Sequence, residues 1–188
     1  MTDKLNSTWT LWYHNATDKN WDLNSYKNIY EFNTIESFWK LINTIDKHYS
    51  NYGNDMLFLM RKKKEKYIYP MWEDKENKNG GYWSFKIDKN ELNDIWNHIM
   101  ILLIGENILN DKELNNKMIN GISISPKKNN CILKIWNKKN DYKEISILNK
   151  IDKLDYENVL YKSHNDNIKQ DLDKINNNKV YYSGRRQK

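Results

Sequence analysis

The first regular pattern along the chain is an alternation. From Thr8 to Asn15, Trp9, Leu11 and Tyr13 fall on one side and Thr8, Thr10 and Trp12 on the other, the two-residue period of a half-buried strand. Tyr26–Phe32 repeats that period. It then lengthens: Phe38, Leu41, Ile42 and Ile45 recur at helical spacing, and Asn33 with Glu36 three places on predicts where that helix begins. Trp39 lies about 100° off the buried stripe, one turn from Ile35, so the wheel predicts an indole and an isoleucine forming a semi-exposed ridge. Strands are predicted at Met56–Met60 and Tyr67–Tyr69. The charged run between them, Arg61–Lys66, reads either as a nucleic-acid patch or, preferably, as a solvated hairpin tip. Pro70–Asp74 and a polar loop to Gly80 and Gly81 precede a strand at Tyr82–Ile87.

A second helix is predicted from about Asn90 to Ile104, stopping at Gly105, with Leu92, Ile95, Trp96, Ile99, Leu102 and Leu103 inward. Ile101 falls opposite that stripe, and with Met100 and Ile104 nearby it implies a second exposed apolar strip. A hairpin follows at Ile122–Ser125 and Ile132–Trp136, then a short helix near Tyr142–Leu154, a strand at Val159–Lys162, and a polar remainder, 163–188. Asn-rich runs around Asn116, Asn129 and Asn176 are expected to be loops. Short turns between strands, with few helices, make the class α+β with a largely antiparallel sheet. A single domain over 1–188 is expected, with 1–7 and about 165–188 flexible.

Composition changes this picture in two places. Eight Trp accompany thirteen Tyr, where a core of this size calls for about two or three indoles, so several are expected to work at surfaces. A net charge of +6 fits a polyanionic partner and a merely solubilising lysine surface about equally. The single cysteine, Cys131, excludes an intramolecular disulfide. No apolar run is long enough to span a bilayer or to form a leader, so a cytoplasmic or nuclear protein is expected. The four histidines and Cys131 have no metal-ligand spacing. There is no Gly-rich phosphate loop and no nucleophile motif, so neither enzyme chemistry, a cofactor nor a metal is expected.

The Trp72-Glu73 pair, alone, would be an ordinary buried indole beside an exposed loop charge. It is not alone. Trp9-x-x-Trp12, Trp21, Phe38-Trp39, Pro70-Met71-Trp72-Glu73-Asp74, Asn77-Lys78-x-Gly80-Gly81-x-Trp83, Trp96, Leu103-Ile104-Gly105-Glu106 and Ile135-Trp136 follow one another in an order and spacing that resembles the eukaryotic translation initiation factor 4E family, from Thr8 to about His164. The resemblance implies a curved antiparallel sheet with helices on its convex face and a slot for the 7-methylguanosine cap of messenger RNA on its concave face. It implies that Trp21 and Trp72 stack on the base, that Glu73 reads the guanine edge, and that Trp136 touches the N7 methyl. Trp39, flanked by Ile35, Ile101 and the Gly105-Glu106 turn, corresponds to the dorsal site for a scaffold initiation factor or inhibitory protein carrying a Tyr-x-x-x-x-Leu-Φ motif. The chemistry fits: a methylated guanine carries delocalised positive charge, which indole faces attract, and its N1–H and N2–H are donors that one carboxylate accepts together.

The chain also departs from that pattern. Asp3 and Lys4 stand where a His-Pro is usual, and Asn97 and His98 where Leu and Glu are common. Around the cap phosphates Lys127 replaces an arginine, Asn129 and Ile132 replace lysines, and Tyr82 replaces an arginine, which leaves Lys128 and Lys134 as the nearest basic substitutes. The run Lys179–Arg186 offers aromatic and guanidinium groups to a nucleotide next to the cap. Two other functions stay open: a cap-binding repressor without productive scaffold binding, and a general single-stranded RNA binder.

Overall fold

The computed structural model of the chain describes residues 3–48 and 55–184. Strand β1 (Lys4–His14) pairs antiparallel with β2 (Lys27–Thr34) and with β3 (Met56–Lys63), which carries the two-residue β4 (Lys66–Tyr67) at its end. With β5 (Gly81–Asp88), β6 (Ile119–Pro126), β7 (Asn130–Asn137) and β8 (Leu160–Ser163) they form one eight-stranded antiparallel sheet, ordered β2-β1-β3-β6-β7-β5-β8. Helices α1 (Ile35–His48), α2 (Leu92–Ile104), α3 (Lys112–Met118) and α4 (His164–Gly184) complete the α+β fold.

Alternation along each strand divides the side chains between two faces. Toward α1 and α2 point Trp9, Leu11, Leu59, Ile122, Ile135 and Trp83, which join Phe38 and Trp96 of the helices in the main core. The opposite, concave face carries a separate, smaller cluster of Trp12, Tyr26, Phe58, Met60, Ile68, Tyr82 and Trp136. Five of the eight tryptophans are buried (Trp9, Trp12, Trp83, Trp96 and Trp136), more than the composition led us to expect, because the sheet has two apolar faces to fill.

The helical stripe of α1 is as the periodicity requires, but its cap lies one residue later. Thr34 Oγ1, not Asn33, accepts the Ser37 N–H at 3.1 Å. In α2, Ile101 is exposed as expected, whereas Met100 and Ile104 are buried and belong to the core. Gly105 has φ −80° and is not the left-handed residue that ends the helix; Glu106 is, at φ 53°. The strand expected at Tyr67–Tyr69 leaves the ladder after Tyr67, because the Tyr69 N–H donates to Asp74 and its carbonyl accepts from Asn77.

Two segments differ in kind. Tyr142–Leu154 is not a helix but an irregular strap with 3-10 turns at Asn140–Tyr142 and Ile145–Ile147. Asn137 and Asn149 side chains donate to its own and neighbouring carbonyls, and Leu148, Ile151 and Leu154 are buried from a non-helical backbone, extended at Leu148 and turned at 152–153. Conversely, the Asn runs at 116 and 176 lie in α3 and α4. Each helix starts on a side-chain acceptor, Asp111 Oδ1 for the Glu113 N–H and Ser163 Oγ for the Asp166 N–H, and capping of this kind offsets the poor propensity of Asn. The side chains of the Lys179–Arg186 run fall outside the described residues.

Candidate ligand slot and dorsal ridge

Trp21 stands on the loop that leaves β1. Short polar side chains fix that loop: Asn15 Oδ1 accepts the Thr17 N–H, Asp18 the Asn20 N–H, and Asn20 the Asp22 N–H, all within 3.0 Å. His14, fully buried at the strand end, bonds Asn20 O through Nε2 at 2.8 Å and stacks its ring on Trp21 at 4.2 Å and 3°. Trp21 is thereby held by one face while 50% exposed.

Trp72 and Glu73 stand on the loop after β4. The buried Asn77 amide donates to both Tyr69 O and Met71 O at 2.8 Å, and Asp74 accepts the Tyr69 N–H at 3.1 Å, so the Pro70–Glu73 turn is bonded from beneath. Trp12 supports the same loop through Tyr67 and Tyr69, each 5.5 Å away. Between the two loops lies a cavity of about 280 Å³ lined by Trp21, Tyr26, Met56, Pro70, Met71, Trp72, Glu73, Lys134 and Asp171. Burial holds the Tyr26 phenol above its ordinary range, and the Glu73 carboxylate pushes it further the same way. The phenol therefore stays a neutral wall of the cavity.

The structure brings Trp21, Trp72, Glu73 and Lys134 together, and separates the remaining expected site residues from them. Trp136 is only 2% exposed, donates Nε1–H to Ser123 Oγ at 2.9 Å, and lies under Tyr82 and His164 rather than in the cavity wall. Lys127 and Lys128 are exposed on the β6–β7 turn, which the Lys127 N–H closes onto Asn130 O at 2.8 Å. Lys134 Nζ sits 4.4 Å over the Tyr82 ring. Burial, with Lys127 and Lys162 nearby, lowers its ammonium to about 8. His164, the first residue of α4, is lowered to about 3 by burial and by Lys134, so it is neutral against Trp136.

Several of these residues escaped the sequence reading. Asn77 was visible only as part of a motif, and its role as the brace of the Trp72 loop needs the fold. Asp171 and His164 belong to a polar segment with no periodicity that marks them. Among the described residues no group of three or more His, Cys, Asp or Glu side chains is placed to hold a metal ion.

On the helix side, Ile35 and Ile101 are exposed and Trp39 is 46% exposed, its ring edge against Phe38 at 5.4 Å. Gly105 is exposed, but Glu106 turns inward. Its carboxylate accepts two bonds from Arg61, at 2.6 and 2.8 Å, while Arg61 also donates to Ile119 O at 3.0 Å and to Ser7 Oγ and lies 4.4 Å over Trp9. The left-handed backbone at Glu106 aims the carboxylate at this buried guanidinium.

The family model described as eukaryotic initiation factor 4E matches residues 4–179. The chain is 32% identical over 147 residues to eukaryotic translation initiation factor 4E of Eremothecium gossypii, a match covering 71% of this chain and 62% of that relative's length. Among solved structures, Ascaris suum eIF4E-3 with an m7G cap superposes with a TM-score of 0.63 at 26% identity, covering 76% of this chain and 77% of that one. Caenorhabditis elegans eIF4E-3 in complex with the 4E-binding protein Mextli shares the fold, with a TM-score of 0.69 at 22% identity, over 89% of this chain and 96% of that one. No helix among the described residues is long and apolar enough to cross a membrane.

Proposed function

The chain belongs to the eukaryotic initiation factor 4E family, and from that premise we propose that it binds the 7-methylguanosine cap of messenger RNA in the slot between Trp21 and Trp72 and engages an initiation scaffold or inhibitory protein through the dorsal ridge. The observation that carries this reading is the slot itself: two indoles on separate, internally bonded loops, with the Glu73 carboxylate at the rim of the same cavity. A cationic purine between them gains stacking and cation–π attraction, and Glu73 accepts its N1–H and N2–H. Lys134 supplies positive charge for the phosphates from the cavity wall. Trp136, buried beneath Tyr82, supports the floor. On the back of the sheet Trp39, Ile35 and Ile101 offer apolar surface to a partner helix, in the mode where an amphipathic segment docks on a groove. The family's members are binding proteins, so no catalytic step is assigned.

Retention on immobilised 7-methyl-GTP tests this, with elution by 7-methyl-GTP against GTP. Selective elution by the methylated nucleotide is expected, and Trp72→Ala, Trp21→Ala and Glu73→Ala should each abolish or strongly reduce retention of a folded protein. Equal elution by GTP would favour a general single-stranded RNA binder instead. Trp39→Ala should keep cap retention and lose co-eluting partner proteins from cell extract. The same partners on wild type and variant would remove the dorsal assignment, and no partner on either would favour a cap-binding repressor, the reading to which the polar Asn97 and His98 on α2 lend support.

A further inference from the structure

Lys134 is a cation that the fold does not neutralise. It stands in the slot wall with its ammonium over Tyr82, and the charges acting on it are two further lysines, Lys127 and Lys162. Among the described residues none of the three has a carboxylate at ion-pair distance; of the two acids lining the slot, Glu73 makes no ion pair with Lys134 and Asp171 is paired with Lys174 at 3.0 Å. Three lysines drawn together without a counter-charge leave a positive field reaching beyond one side of the slot.

The register shows where that field leads. Lys134 on β7 pairs with Ser84 on β5, and Ser84 pairs with Leu160 on β8, so these three side chains form a row across the concave face. In the rows on either side, Ile132 pairs with Lys86 and Trp136 with Tyr82, which pairs with Lys162. The row starts at the slot and ends at the rim of the sheet. It is open: Ser84 is partly exposed, Lys86 and Lys162 are exposed, and Leu160 is 60% exposed, the largest value among the exposed large apolar residues with described surroundings. One flank is walled, since α4 crosses from β8 to the slot, with Asn167 bonded to the Tyr82 hydroxyl at 3.3 Å and Asp171 in the cavity wall. The β6–β7 turn with Lys127 stands on the other flank.

We propose that this row is a second nucleotide subsite, in which an RNA chain leaving the slot runs over Lys134 and Ser84 toward Leu160, with Lys162 and Lys86 taking its phosphates and the Leu160 side chain lying under a base. This rests on the cap-slot reading and extends it from a methylated nucleotide to a capped oligonucleotide. It locates the extra contacts on the sheet surface rather than in the chain terminus. A single strand suits the row, since its bases are free to lie on apolar surface while cations track the backbone.

Titration of tryptophan fluorescence with 7-methyl-GTP and with cap analogues carrying one and two further nucleotides tests it, on the full chain and on the double variant Leu160→Glu/Lys162→Ala. Wild type should bind the longest analogue about fivefold or more tighter than 7-methyl-GTP, and the slope of log affinity against log salt should steepen by about 0.7 for each phosphate taken up. The variant should match wild type on 7-methyl-GTP within about twofold and lose the gain with length and the steepening. Wild-type affinity that does not rise with length, or a variant that keeps the full rise, overturns the subsite while leaving the slot intact. Failure of wild type to bind 7-methyl-GTP overturns the slot reading, and the subsite with it.

Discussion

Tyr82 and Trp83 are neighbours on β5 that belong to different halves of the molecule. Trp83 faces the helices, buried in the large core, with Nε1–H donated to Lys143 O at 2.9 Å and Tyr161 edge-on at 5.4 Å. Tyr82 faces the concave side, in a cluster covered by the 64–80 loop and the first turn of α4, with Lys134 over its ring. The helix face holds its aromatic residues mainly among other apolar side chains, with one buried ion pair, Arg61 on Glu106, laid over Trp9. The concave face holds its own through short polar bonds, such as those of Asn77 beneath Trp72 and of His14 and Asn20 beside Trp21. The difference teaches that the main core and the candidate ligand slot lie on opposite sides of one sheet. An indole on the ligand side can stay half bare because the other side already carries the folding free energy.

The contrast can be broken most strongly with tryptophans. Trp83→Ala should destabilise the fold by about 3–5 kcal/mol in denaturant unfolding, while Trp72→Ala should cost less than about 1 kcal/mol and act on cap retention alone. Comparable losses from the two would erase the division. Glu106→Gln comes next. It removes the negative charge that offsets buried Arg61, and a loss of about 2–3 kcal/mol is expected with little change in cap affinity. A Glu106 variant of full stability that loses only partner binding would instead make this residue part of the dorsal surface.

The most gradual effect is one of pH. His164 is held neutral in the fold down to about 3 by burial and Lys134, whereas unfolded it titrates near its ordinary 6.5. Between those values the unfolded chain binds the extra proton, so the stability tied to the neutral imidazole is complete above 6.5 and is lost as pH falls toward 3. The slope is at most about 1.4 kcal/mol per pH unit. Thermal unfolding of His164→Gln should show a shallower fall across that window. Curves parallel to wild type would mean that His164 titrates alike in both states.

Much of this division was legible beforehand. Alternation at Trp9–Tyr13 and helical spacing at Phe38–Ile45 located β1 and α1, and the wheel left Trp39 and Ile101 outside, because burial on one face leaves a period in the sequence. Trp21, Trp72 and Glu73 were named from motif order and meet in one cavity. What was not legible has no period. The strap at 142–154 buries Leu148, Ile151 and Leu154 at helical intervals from a non-helical backbone, and only the amide bonds of Asn137 and Asn149 distinguish it. The helix α4 has few apolar residues and is placed by contacts of its first turns with Tyr82 and Trp136, which are remote in sequence. Glu106 read as part of a surface turn because nothing nearby in the chain announces Arg61, 45 residues away.

The ring of His14 lying flat on Trp21 bears on the thermodynamics of capture. An exposed indole on a loop ordinarily samples several rotamers, and a ligand that stacks on it must bring that freedom to an end. Here a buried imidazole, itself anchored to Asn20 O, has already done so. The entropy of ordering that wall belongs to folding, and the free energy of stacking is left for the ligand undiminished.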